Sequence, residues 1–157
     1  MSLLDFEEAP DRSVRVVATD QDGRAVEQII RISVTDVNEH PTDIQLTATA
    51  LASDAPVGTV AASLSGFDAD SGDVLTYTLV SGEGSHDNSV FVIEGNTLRT
   101  SQPLDSISKE ALAVRVRCTD NGGLFVEKPF LVPIGNVIRI PPLITATRLT
   151  GEAGTSI

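Results

Sequence analysis

Val114-Arg115-Val116-Arg117-Cys118-Thr119-Asp120, running into Asn121-Gly122-Gly123, is the segment that decides the fold. Val114, Val116 and Cys118 fall on one side of an extended chain, with Arg115 and Arg117 on the other. That is the alternation of a half-buried strand, closed by a glycine turn. The same pattern stands 100 residues earlier as Arg15-Val16-Val17-Ala18-Thr19-Asp20, with Gly23 close behind. Leu104-Asp105 likewise repeats Leu4-Asp5, and Ala153-Gly154-Thr155 weakly echoes Val57-Gly58-Thr59. A period near 100 is too long for a solenoid unit and suits a string of sandwich domains.

Further period-two runs lie outward from this segment. Ile30-Ile32-Val34, Ile44-Leu46-Ala48, Val60-Ala62-Leu64, Leu75-Tyr77-Leu79, Phe91-Ile93 and a last run over 124–134 each predict a strand. Asp22-Gly23, Ser71-Gly72, Ser81-Gly82 and Gly95-Asn96 separate them as turns, and no 3.6-residue period is sustained. The expected class is an all-β sandwich. Three parts are expected: residues 1–40 as the back part of an upstream unit with its linker, 41–137 as a complete unit, and 138–157 as the start of a downstream one. Glu39-His40-Pro41 and Ile140-Pro141-Pro142-Leu143 mark the joints, because proline stiffens a boundary.

Composition narrows the function. The 157 residues carry 22 acids against 11 bases, a formal charge of −11, which opposes binding to nucleic acid or to an anionic membrane surface. Aromatics are 4% with no Trp, a poor basis for stacking sugars or single strands. Cys118 is the sole cysteine, so an intrachain disulfide and a thiolate-rich zinc site are excluded. No apolar run approaches the ~20 residues of a membrane span. A cation is the natural partner of such a chain.

The acids are grouped. Asp5 with Glu7, Asp36 with Asn38 and Glu39, and Asp68 with Asp70 each stand close in sequence, while Asp120 opens a glycine-rich turn. An extended D-x-D or D-x-E places both carboxylates on one face, about 7 Å apart. Ca²⁺ takes about six to eight oxygens from carboxylates, amide oxygens and backbone carbonyls. On spacing alone, a cation site and solvated turn acids account for these groups equally well.

The order of the motifs resembles that of a cadherin repeat. Leu4-Asp5-Phe6-Glu7 matches the family's L-D-x-E. Ala18-Thr19-Asp20 matches its A-x-D, as does Cys118-Thr119-Asp120 with Cys for Ala. Asp36-Val37-Asn38-Glu39-His40-Pro41 is similar to its D-x-N-D-N-x-P linker, keeping the Asp, the first Asn and a proline one place early, with Glu39 and His40 departing from it. Ala55-Pro56-Val57-Gly58-Thr59 matches A-P-x-G-T, and Asp68-Ala69-Asp70 matches D-x-D, followed by a run similar to that of bacterial members. The resemblance implies a cadherin-like, Ig-like Greek-key sandwich with Ca²⁺ between successive repeats. The ligands it implies are Asp5, Glu7, Asp36, Asn38, Glu39, Asp68, Asp70 and Asp120, with backbone carbonyls from Val37 and His40. It further implies a non-enzymatic extracellular module, working in adhesion or as a calcium-stiffened stalk among other repeats, with a protein or glycan partner. A carbohydrate-binding or spacer module of a secreted polysaccharide-acting enzyme is the alternative. At the downstream joint Asp105-Ser106-Ile107 lacks a second carboxylate, and 134–139 lacks an acid while gaining Arg139. That joint is expected to be calcium-free.

Other reactive residues have plainer roles. Cys118 is expected as a small buried side chain, His86 as part of a Gly/Ser-rich loop, and Asp20-Gln21-Asp22-Gly23 as a turn without the closing Glu of an EF-hand. Arg115 and Arg117 are expected to be solvated or stacked over strand neighbours. Residues 1–40, carrying strands with open edges, are expected to pack against the neighbouring unit or another copy.

Overall fold

The structure is a computed structural model, and it describes residues 4–105 and 109–135. The expected downstream start, 138–157, lies outside the described residues. Ten strands are present among the described residues: β1 (Asp11–Thr19), β2 (Ala25–Ser33), β3 (Asp43–Ala48), β4 (Leu51–Ala52), β5 (Val60–Phe67), β6 (Thr76–Leu79), β7 (Phe91–Glu94), β8 (Thr97–Thr100), β9 (Ala111–Thr119) and β10 (Phe125–Gly135). A 3-10 turn, Asn88–Val90, precedes β7. No helix among the described residues is long and apolar enough to cross a membrane.

Strands β3 to β10 form two facing sheets, ordered β3-β5-β8-β7 and β4-β10-β9-β6. Neighbours are antiparallel, except that β4 joins β10 in parallel through Leu51↔Ile134 and Ala52↔Gly135. Chain crossings from one sheet to the other make this a Greek key. The alternation in β9 does what the sequence predicts. Leu112, Val114, Val116 and Cys118 are buried and the residues between them are half-exposed. They meet Ile44, Leu64 and Leu98 of the opposite sheet in one aliphatic core. Gly66 permits the close approach of the sheets, since a Cβ there would lie 2.6 Å from Leu75 and 2.8 Å from the Cys118 sulfur. Burial pushes the Cys118 thiol up from its ordinary range, so it behaves as a small core side chain.

Across the sandwich, the Lys128 ammonium donates to an Asp43 oxygen at 2.7 Å and to the Ile44 carbonyl at 3.1 Å. On the outer face, Arg117 is stacked over a strand neighbour, one of the two expected arrangements, and the ion pairing of both arginines goes beyond that expectation. Both guanidinium groups close on Glu127, at 3.0 and 2.7 Å, and Arg117 also lies 4.1 Å over the Phe125 ring. They lie two residues apart on one face of β9, and β10 places Glu127 directly opposite Arg117 and diagonal to Arg115.

Strands β1 and β2 form a separate two-stranded sheet. Every residue of β2 is exposed, as is every residue of β1 apart from half-buried Arg12. Of the expected packing against the neighbouring unit, the described residues show it for 4–9 and the linker, which meet the sandwich end, and not for β1 and β2. The chain passes from β2 through 34–42 to β3, and Pro41 in that link is fully buried. Seating of this proline anchors the linker to one end of the sandwich.

Candidate metal centre

The linker end of the sandwich gathers side chains from four parts of the chain. Residues 4–9 make a tight turn, with the Ala9 N–H donating to the Asp5 carbonyl at 3.1 Å and the Glu8 N–H to the Asp5 carboxylate at 3.1 Å. This turn presents Glu7. The linker brings Asp36, Asn38 and Glu39. The loop after β5 supplies Asp68, Asp70 and Asp73, and the β9–β10 turn supplies Asp120.

Two groups of acids result. Carboxylate oxygens of Glu7, Asp36, Glu39 and Asp70 all lie within 4.8 Å of one another, and so do those of Asp68, Asp70 and Asp73. Asp70 belongs to both. An open cleft of about 620 Å³ lies over the first group, lined by Phe6, Glu7, Asp36, Asn38, Asp70 and Asp73 among others. Hydrogen bonds hold the ligand-bearing backbone in place. The Glu39 N–H donates to Asp70 at 2.9 Å, and the Asp70 N–H donates to Asp68 at 3.1 Å. Asn38 joins the linker to the sandwich, its side-chain amide donating to the Glu39 carbonyl at 2.9 Å and to Asp120 at 3.0 Å.

The electrostatics follow from this crowding. Burial, then the charges of Asp70, Asp36, Asp5 and Asp68, push Glu39 above the ordinary glutamate range. Glu7 is pulled down by its own backbone hydrogen bond. Burial, the Asp5 hydrogen bond and the charges of Glu39 and Asp36 outweigh that and leave it raised. Asp120 has the opposite balance. Burial acts upward, yet the Asn38 amide and the backbone N–H groups of Leu124, Gly123 and Gly122 hold it below the usual range. A positive charge beside Glu7 and Glu39 would favour their ionised forms, while Asp120 is already satisfied by donors.

Of the residues singled out in the sequence, Glu7, Asp36, Glu39, Asp68 and Asp70 meet in the two acid groups. Asn38 and Asp120 are tied to each other beside them. Asp5 stands outside both groups but acts on Glu7 and Glu39. Val37 and His40 are exposed linker residues between these side chains. Asp73 is the residue that sequence reasoning missed. The Asp73 N–H donates to the Asp70 carbonyl at 3.1 Å, and this tight turn swings its carboxylate back beside the D-x-D pair. The available signal was Ser71-Gly72, a turn dipeptide placed between two acids.

No family model matches the chain. Solved structures do. Over 87% of its length the chain superposes on protocadherin gamma B2 extracellular cadherin domains 3-6, at 26% identity and a TM-score of 0.62, covering 33% of that chain. The protocadherin gamma B4 extracellular domain matches 85% of it at 28% identity and a TM-score of 0.57, with 22% of that chain covered. Human protocadherin-24 EC1-2 matches 87% of it at 22% identity and a TM-score of 0.66, with 70% of that chain covered. The fold is cadherin-like. The chain spans about a third of the gamma B2 structure and about a fifth of the gamma B4 one, so it corresponds to a small part of those proteins.

The cadherin-like end of the sandwich has a donor set suited to a hard cation. Every clustered side chain offers oxygen, and none offers sulfur or imidazole. One oxygen each of Asp68 and Asp73 is shielded from solvent with no hydrogen-bond partner in the structure. A shielded carboxylate oxygen without a donor is unfavourable, and a divalent cation satisfies it.

Proposed function

We propose that this chain is a calcium-stiffened, cadherin-like extracellular module, used in adhesion or as a stalk between an adhesive site and its anchor. The observation that carries the proposal is the pair of acid groups sharing Asp70 at the junction of the β1–β2 segment with the sandwich. Asp5, Glu7, Asp36, Asn38, Glu39, Asp68, Asp70 and Asp120 would hold the ions, with Asp73 added and with backbone carbonyls of Val37 and His40 completing the shell. Ca²⁺ would supply positive charge and a fixed coordination geometry, and no chemical step. The residues do the rest. Asn38 and Glu39 pin the linker, Asp68, Asp70 and Asp73 present the sandwich's oxygens, and Glu7 carries the upstream segment to the same point. A joint of unneutralised acids repels itself and swings, whereas a filled joint holds one orientation. Likeness to extracellular cadherin domains supports an extracellular setting, tandem neighbours and a non-catalytic role.

Calorimetric titration of calcium into the chelator-treated chain tests this. Heat of binding with an accompanying rise in melting temperature is expected, and Asp70→Ala should weaken uptake by at least ~10-fold, because it removes a ligand from both groups. A chain that takes up no calcium at millimolar concentration is not such a module.

A further inference from the structure

Asn121-Gly122, in the turn between β9 and β10, is the one Asn-Gly step in the sequence. Both residues are exposed. The Asn121 side-chain amide donates to Asp73 at 3.2 Å and so ties this turn to the acid loop of the candidate metal centre. Packing accounts for the glycine. A Cβ at residue 122 would lie 2.7 Å from the Asn38 Oδ1, so the linker side chain fills the space a larger residue would take. The joint therefore sets glycine, the residue that least hinders its own backbone nitrogen, directly after an exposed asparagine.

The other described asparagines are differently placed. Asn88 uses both ends of its amide, donating to the Val80 carbonyl at 2.9 Å and accepting from the Arg115 N–H at 3.0 Å. Asn96 precedes the β-branched Thr97, which crowds the following nitrogen, and Asn38 precedes Glu39 and is held on Asp120 at 3.0 Å. The first hairpin supplies an internal comparison. Its register matches that of the second, Thr19↔Ala25 against Thr119↔Phe125, and so does its turn bond, Asp20 N–H to the Arg24 carbonyl against Asp120 N–H to the Leu124 carbonyl. Gln21 stands there in the place of Asn121. A glutamine must close a six-membered ring where an asparagine closes a five-membered one.

In that closure the Gly122 nitrogen attacks the Asn121 Cγ. The N–Cγ bond forms, the Cγ–Nδ2 bond breaks, and the amide leaves as ammonia with the proton of the Gly122 N–H. Water, the sole co-reactant, then opens the succinimide at either carbonyl to give an aspartyl or isoaspartyl link. A carboxylate then stands where Asp73 had a donor. The turn must first let go. The Gly122 N–H acts on the Asp120 carboxylate, which Asn38 holds at 3.0 Å and the Leu124 N–H at 2.8 Å. A ligand that binds the closed turn slows whatever requires the open one.

We propose that Asn121-Gly122 is a spontaneous deamidation site whose ring closure is gated by the cation joint, faster when the joint is empty and slower when it is filled. The gating rests on the calcium reading of the joint, and the site itself does not.

Peptide mapping by mass spectrometry tests both, after incubation of the full chain at mildly alkaline pH in chelator or in calcium, with a parallel calorimetric titration of calcium. In chelator the peptide carrying Asn121 is expected to gain the mass of an NH2-to-OH exchange and to be labelled by isoaspartyl methyltransferase, with Asn38, Asn88 and Asn96 unchanged. Asp22-Gly23 can close the same ring, but it loses and regains water and leaves its mass unaltered. Gly122→Ala should slow the mass gain at least ~10-fold, and Asn121→Gln should abolish it. Calcium at about ten times its dissociation constant should slow it ~10-fold. Conversion no faster at Asn121 than at the other asparagines overturns the site. Equal rates in calcium and chelator, with calcium taken up, overturn the gating. A chain that takes up no calcium overturns the reading of the joint and the gating with it, while the mass gain in chelator still decides the site.

Discussion

Asn38 is the residue through which the linker grips the sandwich, and Gly122 is what gives it room. A Cβ at Gly122 would sit 2.7 Å from the Asn38 Oδ1 and 2.9 Å from its Cγ and Nδ2. Gly122, unlike Gly123, has no positive φ, so an alanine there meets a flexible side chain and incurs no backbone strain. Gly122→Ala is therefore expected to displace Asn38 from Asp120 and to lower the melting temperature of the calcium-free chain by a few degrees, the effect of about one hydrogen bond. Calcium affinity should fall roughly 3- to 10-fold, the effect of losing about one such hydrogen bond. Calorimetry on the two chains checks it, and an unaltered affinity would show that Asn38 does not organise the joint. At this scale the sequence was informative wherever side-chain spacing is local. The spacing of Asp68-Ala69-Asp70 keeps two carboxylates together, and in the loop after β5 the Asp70 N–H closes on the Asp68 carboxylate at 3.1 Å. Asp73 was not legible, because its place depends on a turn that closes only when the Asp73 N–H reaches the Asp70 carbonyl.

Among the elements, the two hairpins make a controlled comparison. They share a register and a turn, and they present the same inward positions, yet only one is covered. Val114, Val116 and Val132 are wholly buried, whereas Val14, Val16 and Ile32 are 45%, 46% and 40% exposed. A two-stranded sheet without a partner layer is marginal in water, since it buries too little apolar surface to offset its ordering. Backbone amides of β1 and β2 should accordingly exchange with deuterium at least ~100-fold faster than those of β9, which report opening of the whole sandwich. Exchange followed by mass spectrometry at low protein concentration measures this. Equal protection of the two hairpins in a monomeric sample would contradict it. The long strands were legible because nine residues of alternation, as in β9, leave little choice of period. Strands β8 and β4 were not. Thr97–Thr100 contributes the buried Leu98 together with Thr100, a buried polar residue whose hydroxyl donates to the Pro56 carbonyl at 2.7 Å. Leu51–Ala52 is a strand only through its parallel pairing with the end of β10. Both are created by tertiary contacts that a period cannot display.

For the molecule as a whole, the charge of −11 matters through its distribution. Much of it converges on one joint, and this gives stability an unusual dependence on pH. In the metal-free chain, Glu7 and Glu39 have folded-state values raised above 4.5. The folded chain binds those protons more tightly than the unfolded chain, so stability is gained as pH falls through the window just above 4.5 and is retained below it. Asp120, Asp43 and Asp87 are held below 3.8, and Glu127, between its two arginines, below 4.5. Their contribution is present above those ordinary values and is lost as pH falls beneath them. In chelator, the melting temperature should therefore rise modestly from pH 7 toward about 5 and drop below about 4. Calcium inverts the first limb. Filling the joint requires Glu7 and Glu39 ionised, so acidification releases the ion and the melting temperature falls from pH 7 downward. The two curves should converge near pH 4 to 5, where protons and calcium have exchanged places at the joint. Thermal melts across pH 3.5 to 7.5, with and without calcium, measure both limbs. Parallel curves would mean that the ion binds somewhere other than among these acids, whereas convergence ties calcium, the raised glutamates and the stiffness of the joint to the same few oxygens.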